Sequence, residues 1–292
     1  MVDHPRVTLK RSGHQAALVP DPFQPGAVIL EVDGTPQSHV YPDDPSELFF
    51  EYVRRIGHVI DAYGEPGEAL TVLHLGAGAL TIARYVEATR PGSRQQVIEI
   101  DQDLVDFVRE HIPFTGAGSQ TPKASIRVRY GDAREILSKL PAGMRGTVDI
   151  VVVDIFSGAR TPAHVTSQEF YTEVKRMLSP GGIVVLNVAD GPGLAFARSQ
   201  VSTVGSVFGH TLAIAEAQVL KGRRFGNVVI VGSDAEVIDD WLPRLLAGGP
   251  HPAQALSGAE LRAFTASAPI VTDATAIDSP TPHKRLFDIR NR

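Results

Sequence analysis

Three carboxylates stand in order along this chain, each closing a run that reads as a β-strand. Val97-Ile98 ends at Glu99, Ile126-Arg127-Val128-Arg129-Tyr130 ends at Gly131-Asp132, and Val148-Asp149-Ile150-Val151-Val152-Val153 ends at Asp154. Upstream, Thr71-Val72-Leu73-His74-Leu75 runs into Gly76-Ala77-Gly78. In an open parallel sheet the carboxyl ends of the strands line one crevice, and ligands bind there. A glycine turn and three carboxylates at that rim suit a nucleotide-like ligand with several polar handles, and an enzyme acting on it.

Each residue also has a plainer reading. Gly76-x-Gly78 lets the backbone turn tightly and approach a ligand. The third glycine of the dinucleotide fingerprint is absent, since Ala79, Leu80 and Thr81 occupy that stretch, so the pair alone also fits a simple turn. Glu99 follows about twenty residues later, where an acid accepts hydrogen bonds from ribose hydroxyls in nicotinamide and S-adenosyl sites alike. Asp132 precedes a helical pattern beginning at Ala133 and is either its N-cap alone or a ligand contact as well. Asp154 follows Ile150-Val151-Val152-Val153, where burying a charge is costly without a partner. That favours a functional role for it.

Positioning these groups requires alternating elements. Helical patterns fall at Leu48–Tyr63, Thr81–Ala88, Leu104–Ile112, Ala133–Leu140, Ser167–Leu178 and Ala195–Phe208; strands begin near Leu70, Gln96, Ser125, Val148 and Ile183. Such alternation predicts a parallel sheet with helices on both faces. Pro180-Gly181-Gly182 punctuates the step into the fifth strand. Thr211–Val219 and Asn227–Val231 then follow with no helix between them, and should pair antiparallel. Before all this, Val7–Lys10, Ala16–Val19 and Ala27–Val32 are short strand-like runs, and Asp33-Gly34 signals a hairpin. The expected organisation is an N-terminal β-hairpin module over 1–47, a catalytic domain over 48–240 and a C-terminal extension over 241–292, with one helical stretch at Ala259–Thr265.

Composition narrows the function classes. The 292 residues, 43% hydrophobic and 21% charged, suit a globular chain with a sizeable core. Cysteine is absent, which excludes disulfides, zinc–thiolate sites and thiol nucleophiles. A net charge of −5 without a basic block argues against nucleic acid as the main partner. No apolar run approaches the roughly 18 residues of a membrane span. Met1-Val2-Asp3-His4-Pro5 carries no signal-peptide core, so a cytoplasmic protein is expected.

The ordered segments resemble the spermidine synthase (polyamine aminopropyltransferase) family. The resemblance rests on Val97-Ile98-Glu99-Ile100-Asp101, Gly131-Asp132-Ala133, Val153-Asp154-Ile155-Phe156-Ser157-Gly158 and the stretch from Glu169 to Gly182. Leu30–Gln37 and Asp44–Glu51 look like the family's N-terminal hairpin and first helix. It implies an α/β fold of the class I S-adenosylmethionine type, Rossmann-like and seven-stranded, with a small antiparallel N-terminal module, in a homodimer. It further implies that Glu99 holds the ribose of decarboxylated S-adenosylmethionine, that Asp132, beside Ala133, meets the adenine amino group, and that Gly76 and Gly78 pass beneath the nucleoside. Gln37 would lie beside the donor's tail. Asp154 would be the base for a small-molecule amine, and no metal is required, because the sulfonium is a built-in leaving group.

The acceptor positions depart from that pattern. Where the family has a second aspartate there is Ser157, followed by Gly158-Ala159-Arg160-Thr161-Pro162. Its tyrosine and histidine of the first helix fall on Phe49 and Phe50, and a later aromatic stretch is replaced by Lys221-Gly222-Arg223-Arg224-Phe225. A diamine carries two positive charges and calls for carboxylates or aromatic faces. Arg160, Arg223 and Arg224 could instead meet an acidic acceptor, or be solvated loop arginines. Asp190 could restore the lost charge or simply close a turn. His164 is either a proton carrier or a loop histidine. Three functions therefore stand: aminopropyl transfer with an altered acceptor site, methyl transfer from ordinary S-adenosylmethionine to a small molecule, and nucleoside binding without catalysis.

Overall fold

The computed structural model describes residues 4–113, 125–236, 242–249 and 253–281. The start of the N-terminal segment, the expected boundary at 240 and the end of the C-terminal extension lie outside these residues.

The chain opens with four strands, β1 (Arg6–Thr8), β2 (Gln15–Pro20), β3 (Val28–Val32) and β4 (Thr35–Val40), paired antiparallel in that order. The β3–β4 turn is Asp33-Gly34, with φ of 48° and 74°. Positive φ at both positions is what a two-residue hairpin needs, and it matches the Asp-Gly signal. Leu9, Leu18, Leu30 and Val40 on this small sheet pack against Leu104, Phe107 and Val108 of the main body.

Helix α1 (Glu51–Asp61) follows, shorter at both ends than the expected 48–63. Val53, Ile56 and Ile60 recur at helical spacing and bury one face. The alternating core then runs β5 (Thr71–Leu75), α2 (Thr81–Thr89), β6 (Arg94–Glu99), α3 (Gln102–His111), β7 (Ser125–Tyr130), α4 (Ala133–Lys139), β8 (Val148–Val153), α5 (Gln168–Lys175), β9 (Leu178–Asp190) and α6 (Ala195–Val207). It ends with β10 (His210–Glu216), α7 (Ala217–Leu220), β11 (Gly226–Ser233), α8 (Leu242–Ala247), β12 (Ala253–Leu256) and α9 (Gly258–Thr265).

The main sheet has the order β12-β10-β11-β9-β8-β5-β6-β7. The strands from β9 to β7 are parallel, and β11 and β10 form the expected antiparallel pair. All seven expected strands are present, and β12 adds an eighth on β10. Two local expectations change. Pro180-Gly181-Gly182 lies inside β9, where the pairing with β8 jumps from Val148–Leu178 to Ile150–Ile183; it makes an irregularity in a strand rather than the approach to one. The run expected as strand to Val219 leaves the sheet at Glu216 and closes with the single helical turn α7.

Val-Asp-Ile-Val-Val-Val in β8 is buried along almost its whole length, as a central parallel strand covered on both faces must be. The order has one reversal. From β5 the chain builds outward to β6 and β7, then returns to place β8 and β9 on the other side. The crevice of such a sheet opens at this reversal. Helix α1 lies across the β9–β11 side of it. After α9, residues 267–281 run back along the sheet's helical layer: Gln168 N donates to Val271 O, and Val271 N donates to Thr203 Oγ1.

Candidate active site

A cavity of about 1,020 Å³ opens at the reversal, between the ends of the parallel strands, β4 and α1. Gly76 and Asp154 sit on either side of the β5–β8 junction. Asp154 N donates to Leu75 O at 2.9 Å, and a Cβ on Gly76 would fall 2.2 Å from Asp154 O. Gly76, at φ 97°, is therefore fixed by the strand beside it as well as by its turn. A Cβ on Gly78 would meet Ser38 Oγ at 2.5 Å, which is the point where β4 leans on the turn.

Glu99 ends β6 and is filled by backbone donors. Oε2 accepts from Ala77 N at 2.8 Å, while Oε1 accepts from Ile100 N at 2.8 Å and Asp101 N at 3.0 Å. Burial still pushes its carboxyl above the usual range, against those three bonds. Nearby, the buried Asp101 Oδ1 has no partner among the described residues, and Asp101 lines the same cavity.

Asp132 caps α4: Oδ1 accepts from Arg134 N and Glu135 N at 3.0 and 3.1 Å. Oδ2 meets His164 Nε2 at 2.7 Å. Burial alone would raise its pKa, but the Glu135 amide, His164 and the Arg134 amide together hold it low. The cap is thus real, and Asp132, Ala133 and His164 all line the cavity. His164 is tied to Asp132, not to Asp154.

Asp154 follows the end of β8 and lines the same cavity. Asn187 Nδ2 donates to its Oδ1 at 2.9 Å, and Asn227 Nδ2 donates to Asn187 Oδ1 at 2.9 Å, so a chain of amides crosses from β11 through β9 to the end of β8. The Tyr52 hydroxyl, on α1, faces it and helps to hold its pKa down. Burial raises the Asp154 carboxyl to about 6, and the two donors offset only part of that. Beside Asp154 the Tyr52 hydroxyl is held well above its ordinary value, chiefly by burial.

The acceptor candidates separate. Ser157 lies exposed at the cavity mouth, where Gly158 O accepts from Gln37 Nε2 at 3.4 Å. Arg160 also lines the cavity, but its Nε donates to Thr281 Oγ1 at 2.6 Å, and its guanidinium stands 3.7 Å from Asp278. The C-terminal segment thus borders the site. Asp190 is placed elsewhere: its two oxygens accept from Gly191 N at 2.7 Å and Ala197 N at 2.9 Å, it is buried, and it does not line the cavity. The turn reading describes it, because a carboxylate just before a helix start is drawn to free amides. Arg223 reaches Gln218 in its own loop, whereas Arg224 and Phe225 line the cavity. Phe49 stacks on His39 at 4.2 Å, outside the cavity, while Phe50 lines it.

Sequence reasoning missed Tyr52, Asn187 and Asn227. Asn187 did carry a signal, a lone amide in Ile183-Val184-Val185-Leu186-Asn187-Val188, of the same kind that marked Asp154. Tyr52 carried none, because nothing in the spacing of Phe49, Phe50 and Tyr52 marks which of them faces Asp154. Among the described residues no group of three or more His, Asp or Glu could hold a metal ion, and no helix is long and apolar enough to cross a membrane.

A mixed sheet with an antiparallel pair beyond its parallel strands, and an acid at the reversal facing a glycine turn and an acid-ended β6, defines an α/β protein with a cleft at the strand ends. Comparison with known proteins narrows that class. The family model for the spermine/spermidine synthase domain matches residues 49–195. A polyamine aminopropyltransferase of Vibrio vulnificus is 30% identical over 169 residues, which cover 57% of this chain and 52% of that one. The chain spans about half the length of such curated relatives. A probable spermidine synthase from Corynebacterium glutamicum superposes with a TM-score of 0.81 at 31% identity, covering 93% of this chain and 97% of the other. The Thermotoga maritima spermidine synthase shares the fold, with a TM-score of 0.56 at 15% identity over 80% of this chain and 73% of that one. The chain belongs to the spermine/spermidine synthase family.

Proposed function

We propose that this protein transfers the aminopropyl group of decarboxylated S-adenosylmethionine to an amine, with Asp154 as the base. The observation that carries the reading is the Asp154 carboxylate, half-buried at the sheet reversal, held by Asn187 with Tyr52 facing it, and open to the cavity that Glu99 also lines. An ammonium has no lone pair, so the acceptor must lose a proton before attacking. The amine nitrogen then bonds to the carbon beside the sulfonium, the carbon–sulfur bond breaks, and neutral methylthioadenosine leaves. With a pKa of about 6, Asp154 is mostly ionised near neutral pH, yet basic enough to receive that proton. Holding amine and donor together supplies much of the acceleration.

On the donor side, Glu99 and Asp101 would meet the ribose hydroxyls; the unpartnered Asp101 oxygen fits that role. Gly76 and Gly78 would pass beneath the nucleoside, with Asp132 and Ala133 near the adenine and Gln37 near the tail. Ser157 and Arg160 border the acceptor end, while Asp190 serves its turn. The family resemblance extends the reading to a homodimer acting in the cytoplasm. The test is transfer from the decarboxylated donor to a panel of amines by the wild type and Asp154→Asn. Binding of methylthioadenosine with no more transfer by the wild type than by the variant would remove the catalytic reading. Tighter binding of ordinary than of decarboxylated S-adenosylmethionine would favour methyl transfer instead.

A further inference from the structure

Past Asp154, away from the nucleoside side, the cavity is lined by two arginines, Arg55 and Arg224. Arg55 follows Tyr52 by three residues on α1, so the two share a helix face. Along the axis they are about 4.5 Å apart. Arg55 is 1% exposed, a rare state for arginine. Its Nη2 makes one long contact, 3.3 Å, to the half-exposed Glu51, and its Nε has no partner among the described residues. Arg224, before β11, is 48% exposed and pairs with Glu216. It is near enough for its charge to act against that of Arg55. Each guanidinium has one glutamate beside it, but Arg55 is buried with its Nε unmatched, and a buried charge left short of hydrogen bonds is costly. A diamine would bring a further cation to this end. A carboxylate would supply the missing acceptor oxygens, in the forked geometry arginine matches best.

We propose that Arg55 and Arg224 form a carboxylate subsite, so that the acceptor is a short amine bearing a carboxylate rather than a simple diamine. The inference rests on the aminopropyl-transfer reading. The amine nitrogen would lie at Asp154 and the carboxylate about one helical turn further along α1; the carboxylate takes no part in the bond changes. The anion belongs to the acceptor because the nucleoside handles lie on β5, β6 and the start of α4, while both arginines lie on the β9–β11 side of Asp154.

The test is kcat/KM with the decarboxylated donor for 4-aminobutyrate, putrescine and butylamine, in the wild type, Arg55→Gln, Arg224→Gln and Arg224→Lys. Binding of methylthioadenosine and of S-adenosylmethionine is titrated alongside. The wild type should prefer 4-aminobutyrate to both other amines. Arg224→Gln should lose roughly ten- to a hundredfold on 4-aminobutyrate, mainly through KM, with butylamine unchanged, as expected for one charged hydrogen bond. Arg224→Lys should recover part of the loss. Arg55 is buried, so if Arg55→Gln fails to fold, the half-exposed Arg224 decides alone. A preference for putrescine that Arg224→Gln leaves intact overturns the subsite and leaves aminopropyl transfer standing. A loss confined to S-adenosylmethionine binding gives the arginines to the donor's carboxylate and overturns the inference as well. No transfer to any of the three amines, with methylthioadenosine still bound, removes both this inference and the aminopropyl reading.

Discussion

The two halves of the cavity meet at Asp154 and are held together by different means. On the β5–β7 side the polar contacts are largely to backbone: Glu99 accepts from three amides, Asp132 from two, and the glycines fit against Asp154 O and Ser38 Oγ. On the β8–β11 side they run from side chain to side chain, mostly across separate elements: Asn187 and the facing Tyr52 to Asp154, Asn227 to Asn187 and Arg224 to Glu216, with Arg55 to Glu51 inside α1. Backbone contacts are fixed once the strand and turn form, so they suit a ligand part that stays the same. Contacts between side chains can be exchanged one residue at a time without refolding the sheet. That is how one fold comes to serve different acceptors.

The largest effect that could break this division lies at its boundary. Asp154→Asn should cut transfer roughly 10²–10⁴-fold, the usual size of a general-base contribution. Methylthioadenosine affinity should change little, because the proposed nucleoside contacts lie on the other side. A comparable loss of nucleoside binding, read by calorimetry, would mean that the halves are not separable. In the wild type, transfer should fall as pH drops through about 6, where Asp154 takes up its proton. The variant's residual rate should not follow that titration.

Next in size is Glu99→Gln. The amide would turn an NH2 toward at least one of the backbone donors that Glu99 now satisfies. Donor affinity should fall roughly tenfold to a hundredfold, as for loss of a charged hydrogen bond. The KM for the amine should hardly move. An equal rise in both KM values would merge the two halves.

Asp154 also yields a stability prediction of opposite sign to its effect on activity. Its folded pKa lies above its unfolded value, so the folded protein binds the proton more tightly. The carboxyl therefore costs nothing below the unfolded pKa near 4, and destabilises progressively as pH rises through about 6. A rise of about two pKa units corresponds to at most about 3 kcal/mol. Asp154→Asn should accordingly raise Tm by a few degrees at pH 8, and by nothing near pH 4. Thermal melts at the two pH values decide it; equal shifts at both would show that the charge is not what burial penalises.

The same division explains what could be seen before folding. Glu99, Asp132, Gly76 and Asp154 were legible because each effect is local: an acid after an apolar strand, a cap before a helix, a glycine where the chain turns. Asp190 was legible as a turn aspartate and equally as an acceptor contact, and only the position of α6 separates the two, since Ala197 N takes one of its oxygens. Tyr52 was not legible. Its reach to Asp154 depends on how α1 docks over β9–β11, which no spacing within α1 encodes. Arg55 likewise carries no signal in the sequence, because its burial follows from the helix face that packs on the sheet. The eighth strand was hidden for the same reason: Ala253–Leu256 is too short to read as a strand without β10 beside it.

The smallest expected effect concerns the arginine that the sequence placed nearest to Asp154. Arg160 sits in the loop after β8, but it is half exposed, and its contacts are Asp278 at 3.7 Å and Thr281 at 2.6 Å, both in the C-terminal segment. Backbone amides already tie that segment to the same loop, since Ser279 N donates to Thr161 O at 3.0 Å and Ala163 N donates to the Asp278 side-chain Oδ1 at 2.9 Å. An exposed ion pair of this kind contributes roughly 0–1 kcal/mol. Arg160→Gln should therefore shift Tm by no more than a degree or two, and the amine's KM by less than about threefold, in contrast to the larger loss expected of Arg224→Gln. A tenfold rise in amine KM for Arg160→Gln would place a cationic contact on the loop itself. The acceptor half would then extend across the mouth to the C-terminal segment, and specificity would be set where the chain is tied together rather than where α1 meets the sheet.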